Sequence, residues 1–210
     1  MVSLPIAQRR PRNVREQGNI MVRTAFRLIA AVSVTLIAGP ALAHTGVTPT
    51  SGFLAGFSHP MLGADHLLAM VAVGLWASQL GGRALWLVPG AFVTFMIVGG
   101  IVGMSGIGLP AVEFGILGSV VLLGLLVALQ ARLPVVLGMV LVGIFALFHG
   151  HAHGTEMPAN GHALSFAAGF VLATASLHAL GVAIGLLIQR PLARLAGAIT
   201  AMAGLALAIG

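Results

Sequence analysis

The chain has 210 residues, 59% of them hydrophobic and only 7% charged, and its mean hydropathy is +1.08. An ordinary soluble domain carries about 25% charged residues, so this composition excludes a cytosolic globular enzyme, a nucleic-acid binder and a disordered protein. What remains is an all-α polytopic membrane helix bundle, and at roughly 20 apolar residues per span the chain has room for about six or seven spans.

The first element is a leader. Arg9, Arg10, Arg12, Arg15, Arg23 and Arg27 all precede residue 28, so the formal net charge of +6 is concentrated there and does not point to a polyanion partner. Arg23 and Arg27 are followed by the apolar run Leu28–Ala38, then Gly39-Pro40 and Ala41-Leu42-Ala43. A basic segment, a short apolar core and an A-x-A site predict a secretory signal peptide. Cleavage after Ala43 makes His44 the mature N-terminus, dividing the chain into an N-terminal extension and signal peptide (1–43) and a six-helix transmembrane domain (44–210). The alternative is an uncleaved first helix. Met21 opens a complete signal peptide by itself and competes with Met1 as the start.

After the leader come six long apolar segments, about 52–80, 84–104, 110–129, 133–150, 162–188 and 194–210. They are continuous runs without strict alternation, which predicts helices rather than barrel strands. The breaks between them include Gly81-Gly82-Arg83, Gln130-Ala131-Arg132 and Gln189-Arg190-Pro191. With His44 outside, six crossings put these three breaks in the cytoplasm. Arg83, Arg132, Arg190 and Arg194 all lie in or beside them, as the positive-inside rule requires, and both mature termini are then periplasmic.

The first segment is too long for one straight crossing. Its 29 residues make roughly 43 Å of helix at 1.5 Å per residue, against a hydrocarbon core of about 30 Å. Pro60 and Gly63 fall in its first half, so we expect a helix broken at Pro60–Gly63: an outer piece over about 52–58, an irregular turn at 59–63, and a span from about 64.

An ionisable side chain within a span costs about 2.5–3.5 kcal/mol, so the polar residues that remain point to function. His59, Asp65 and His66 lie in the outer third of the first segment. Glu113 opens the third. His149, His151, His153 and Glu156 lie at the outer end of the fourth, His162 opens the fifth, and His178 sits deeper. Imidazole with carboxylate, in a chain without cysteine, suits a divalent Ni, Co, Zn or Mn ion. His149, His153 and Glu156 are spaced i, i+4, i+7 and share one helical face, from which His151 points away. His59 and His66 are i, i+7, about 10.5 Å apart on a regular helix. They share an ion only if the break brings them together, and otherwise mark successive stations on a path. Each residue also has a plainer reading: Asp65 as an N-cap, the 149–156 histidines as a wet outer loop, Glu113 as a solvated interfacial group, His162 as a helix start, and His178 as a lone polar group one turn below Thr174.

Two stretches resemble the signatures of one family. His59-Pro60-Met61-Leu62-Gly63-Ala64-Asp65-His66 is similar to the H-P-x-x-G-x-D-H pattern of the HupE/UreJ family of nickel permeases accessory to hydrogenase and urease. Phe148-His149-Gly150-His151-Ala152-His153-Gly154-Thr155-Glu156 is similar to their second signature, F-H-G-x-A-H-G-x-E. The resemblance covers essentially the whole mature chain and departs only before Met21. It implies a bacterial inner-membrane permease that moves Ni2+ (or Co2+) inward to serve nickel-enzyme maturation proteins, with no permanently bound cofactor and no nucleic-acid partner. Metal binding carries over to His59, Asp65, His66, His149, His153 and Glu156, with Glu113 and His44 as extra ligands at the mouth. His151 falls on a variable position and receives no metal role. There is no G-x-x-x-x-G-K-[ST] motif, so transport is passive or ion-coupled. The rival functions are a membrane-embedded metal hydrolase, against which stands the lack of an H-E-x-x-H motif, and a periplasmic metal sensor or relay.

Overall fold

A computed structural model describes residues 52–157 and 162–209; the leader, its cleavage site and His44 lie outside the described residues. Seven helices are described: α1 (Gly52–Leu62), α2 (Ala64–Leu80), α3 (Ala84–Met104), α4 (Val112–Leu129), α5 (Val135–Thr155), α6 (Ala163–Leu187) and α7 (Arg190–Ile209). Helices α3 to α7 are each long and apolar enough to cross a membrane, and α1 with α2, bent by 82° between them, make a sixth, broken span. This is the all-helical bundle that the hydropathy pattern predicts.

Glycine sets how closely the helices meet. On α3 and α5, a Cβ added to Gly99 would strike the Leu147 carbonyl, one on Gly103 the His151 carbonyl, and ones on Gly150 and Gly154 the carbonyls of Met96 and Gly100. The two backbones therefore lie side by side in parallel, at a separation only small residues permit. Gly74 and Gly181 bring α2 and α6 equally close in parallel, while Gly124 and Gly197 do so for the antiparallel pair α4 and α7, and Gly56 and Gly169 for the antiparallel pair α1 and α6. Trp76 is fully buried and donates its indole N–H to the Ala131 carbonyl at 2.9 Å.

Three boundaries differ from those expected. The break in the first span is Gly63 alone, in an extended conformation, while α1 continues through His59 and Pro60. Pro60 lies two residues from the end of α1, and the carbonyl its ring would disturb belongs to Gly56, which packs directly on the Phe166 backbone. Tertiary contact thus holds the last turn of α1 despite the missing N–H. The fourth segment runs on to Thr155 rather than 150, because Gly150 and Gly154 bury those turns against α3. Helix α7 begins at Arg190, four residues earlier than expected. Pro191 then lies in its first turn, where a proline costs no intrahelical hydrogen bond.

The four arginines after the leader flank the connections α2–α3, α4–α5 and α6–α7, and Arg194 reaches back to the Ala128 carbonyl at 3.1 Å. His59, Asp65, His66, His153 and Glu156 lie at the opposite end.

Candidate metal site

Three helices build the site. The 82° bend at Gly63 turns α1 across the end of α2, and α5 passes beside the bend. His59 from α1 and His66 from α2 therefore both meet the ring of His153 from α5, with centroids 4.8 and 4.3 Å away. A straight helix would have kept His59 and His66 on separate levels, roughly 10.5 Å apart. His66 in turn meets His149 at 4.8 Å. Four imidazoles thus form one continuous file, walled by Phe166 and Phe170, with Phe170 4.2 Å from His153.

The outer end of the file has the ligand set for one ion. His59 Nε2 lies 3.3 Å and His153 Nδ1 3.6 Å from the same oxygen of Glu156, and the ligand atoms of these three residues fall within 4.8 Å of one another. Nitrogen and oxygen ligands about 2.1 Å from a metal lie at most about 4.2 Å apart, so a shift of under an ångström closes the set. Contact with His153 holds the Glu156 carboxyl below the usual carboxylate range, outweighing the upward push of partial burial. The group is therefore ionised at neutral pH and offers charge to a cation.

Farther in, the hydrogen bonds fix which imidazole nitrogens are free. A carboxylate only accepts, so His66 Nδ1–H donates to Asp65 Oδ1 at 2.8 Å. The same oxygen takes the His66 backbone N–H, also at 2.8 Å. This leaves the lone pair on His66 Nε2, which is buried and has no partner. At His149 the argument passes through a hydroxyl. Ser119 donates its single proton to the Ile116 carbonyl at 2.6 Å, so its oxygen must accept from His149 Nε2–H at 2.9 Å. The lone pair of His149 is then on Nδ1, again buried without a partner. Both nitrogens of His153 also lack a hydrogen-bond partner. Unpaired buried polar atoms cost about 1–3 kcal/mol each. A row of imidazole lone pairs left bare suits successive contacts with a cation, and the Asp65 carboxylate behind His66 is a partner that metal-ligating histidines usually have.

The structure thus brings together His59, Asp65, His66, His149, His153 and Glu156. Asp65 does not act as an N-cap: Gly63 holds that position and receives no side-chain bond. The histidines from 149 to 153 are buried helical residues rather than a wet loop. His151 faces elsewhere and donates Nε2–H to the Ile107 carbonyl at 2.8 Å. Glu113 stands exposed on the first turn of α4, and no hydrogen bond or ion pair among the described residues joins it to the cluster. His162 is exposed at the start of α6. Sequence reasoning misses Ser119 and Phe92, which the structure places against His149. Ser119 did carry a signal, a hydroxyl in an apolar span, whereas phenylalanines in spans carry none.

The family model described as HupE / UreJ protein matches residues 32–207, a range that includes every element of the site. Protein HupE of Rhizobium leguminosarum bv. viciae is 48% identical over 183 residues, which cover 85% of this chain and 96% of the relative. No solved structure matches the chain. With a helical bundle, both histidine–carboxylate signatures in one site and a family match along nearly all of the described helices, this multi-pass membrane protein belongs to the HupE/UreJ family.

Proposed function

We propose that the protein is a nickel permease of the bacterial inner membrane, supplying Ni2+ to the maturation of hydrogenase or urease, with Co2+ as a competing ion. The observation that carries this reading is the file of four imidazoles with two carboxylates at the end of the bundle opposite the arginines. By the positive-inside rule that end is periplasmic. An ion enters at His59, His153 and Glu156, exchanges water for imidazole, and passes to His66 and His149. Glu156 and Asp65 offset its charge in a low dielectric. Several modest ligands in series let the ion leave again, where one closed tetrahedral set would trap it. Movement is passive or coupled to another ion.

The reading is tested with radioactive nickel at trace concentration, in cells that express the protein and lack other nickel importers. Accumulation above empty-vector cells is expected, with loss in His153→Ala and Glu156→Ala at equal membrane abundance. No accumulation by the wild type would overturn it. The orientation is tested with alkaline phosphatase fused after Gly210, which is expected to be active; activity only from a cytoplasmic reporter there would refute the assignment.

A further inference from the structure

Beyond His149, toward the arginine end, α3 and α6 face each other with four side chains that the capture step does not use. Phe92 and Met96 lie one turn apart on α3, and Thr174 and His178 one turn apart on α6. All four are buried, His178 to 1% exposure. They interlock in two rungs. The Thr174 hydroxyl points to Met96 Sδ at 3.7 Å, and the Phe92 ring meets His178 edge-on at 5.0 Å and 84°. Phe92 also touches His149, with centroids 5.6 Å apart. Its ring therefore contacts both the last imidazole of the file and His178. Neither nitrogen of His178 has a hydrogen-bond partner, and no ion pair among the described residues involves it. An imidazole held in an apolar span with neither nitrogen satisfied is disfavoured by burial. A cation that visits it would satisfy it.

We propose that His178 is an inward station for the divalent ion, and that Phe92 is the apolar barrier the ion passes to reach it. This rests on the reading of the outer file as the capture site. A hydrophobic constriction closes a pore by excluding water, so a divalent ion crosses it only if a ligand waits on the far side. His178 supplies that nitrogen donor, and the Met96 thioether and Thr174 hydroxyl line the near side as weaker donors.

Two substitutions test the proposal. His178→Leu fills the space without a donor atom. His178→Cys keeps a donor and introduces the only thiol, since the natural chain has no cysteine. In His178→Leu, trace nickel uptake is expected to fall about tenfold or more, the scale on which a ligand's loss is felt, while purified protein in detergent retains as much nickel at the outer file as the wild type. In His178→Cys, uptake is expected to be largely restored, and Ni2+ but not Mg2+ is expected to slow alkylation of the thiol by a small maleimide several-fold. Normal trace uptake in His178→Leu overturns the proposal. So does alkylation indifferent to nickel in a protein that transports it, and so does equal loss in both variants with nickel-insensitive alkylation, which would mark His178 as a packing residue. A wild type that neither takes up nor retains nickel would instead sink the capture reading.

Discussion

Ser119→Ala removes one oxygen and tests how the site is ordered. The hydroxyl accepts from His149 Nε2 at 2.9 Å while donating to the Ile116 carbonyl at 2.6 Å, so it holds the imidazole in the tautomer that bares Nδ1. Without it, His149 Nε2–H loses its buried partner, at about 1–3 kcal/mol, and the ring is free to turn or to change tautomer. Loss of an outer partner of a metal-ligating histidine costs about 10–100-fold in affinity. At about 1.4 kcal/mol per tenfold the two estimates agree. We therefore expect the nickel concentration for half-maximal uptake to rise about tenfold or more, with the maximal rate at saturating nickel and the membrane abundance little changed. The measurement is initial-rate uptake of radioactive nickel over a concentration series, with immunoblotting of membranes. An unchanged half-saturation point would refute the tautomer argument. A fall in maximal rate that excess nickel does not recover would show that Ser119 supports packing rather than the ligand.

Three further outcomes are expected. Asp65→Asn keeps an oxygen that can accept from His66 but removes the negative charge, so trace uptake should collapse and partly recover with excess nickel; normal trace uptake would remove Asp65 from the ion path. His151→Ala breaks only the bond to the Ile107 carbonyl, worth about 0.5–1.5 kcal/mol. Its half-saturation should match the wild type even if thermal stability in detergent drops slightly, and a large rise in half-saturation would place it in the path. Between pH 7.5 and 5.5 Glu156 remains ionised, because contact with His153 holds it below the usual carboxylate range, whereas only neutral imidazole binds a metal. Uptake should therefore fall once outside pH is low enough for the imidazoles to take up protons, and uptake that stays flat until the protein unfolds would count against histidine ligation.

The spans and the gathering of the polar residues at the end of the bundle opposite the arginines were legible from the sequence, since each follows from local properties: the length of an apolar run, the placement of arginine, and the cost of an ionisable group in lipid. The grouping of His149, His153 and Glu156 was also legible, because helical periodicity sets it. The meeting of His59 with His66 at His153 was open, because one residue, Gly63, decides it, and whether Pro60 also breaks the helix depends on the contact of Gly56 with α6. The extension of α5 past residue 150 was hidden for the same reason: its last turns owe their order to glycines pressed on α3. Glu113 shows the converse case. Its position at the start of a span was clear, but its exposure on α4 depends on how α4 is turned. What the amino-acid sequence determined by itself is a membrane bundle with a histidine–carboxylate cluster at one end, because hydropathy and charge act residue by residue against the bilayer. What only the tertiary structure decided is which lone pairs are bare and in what order a cation meets them, because that order depends on side chains from α1, α2, α4 and α5 packed at distances no linear spacing encodes.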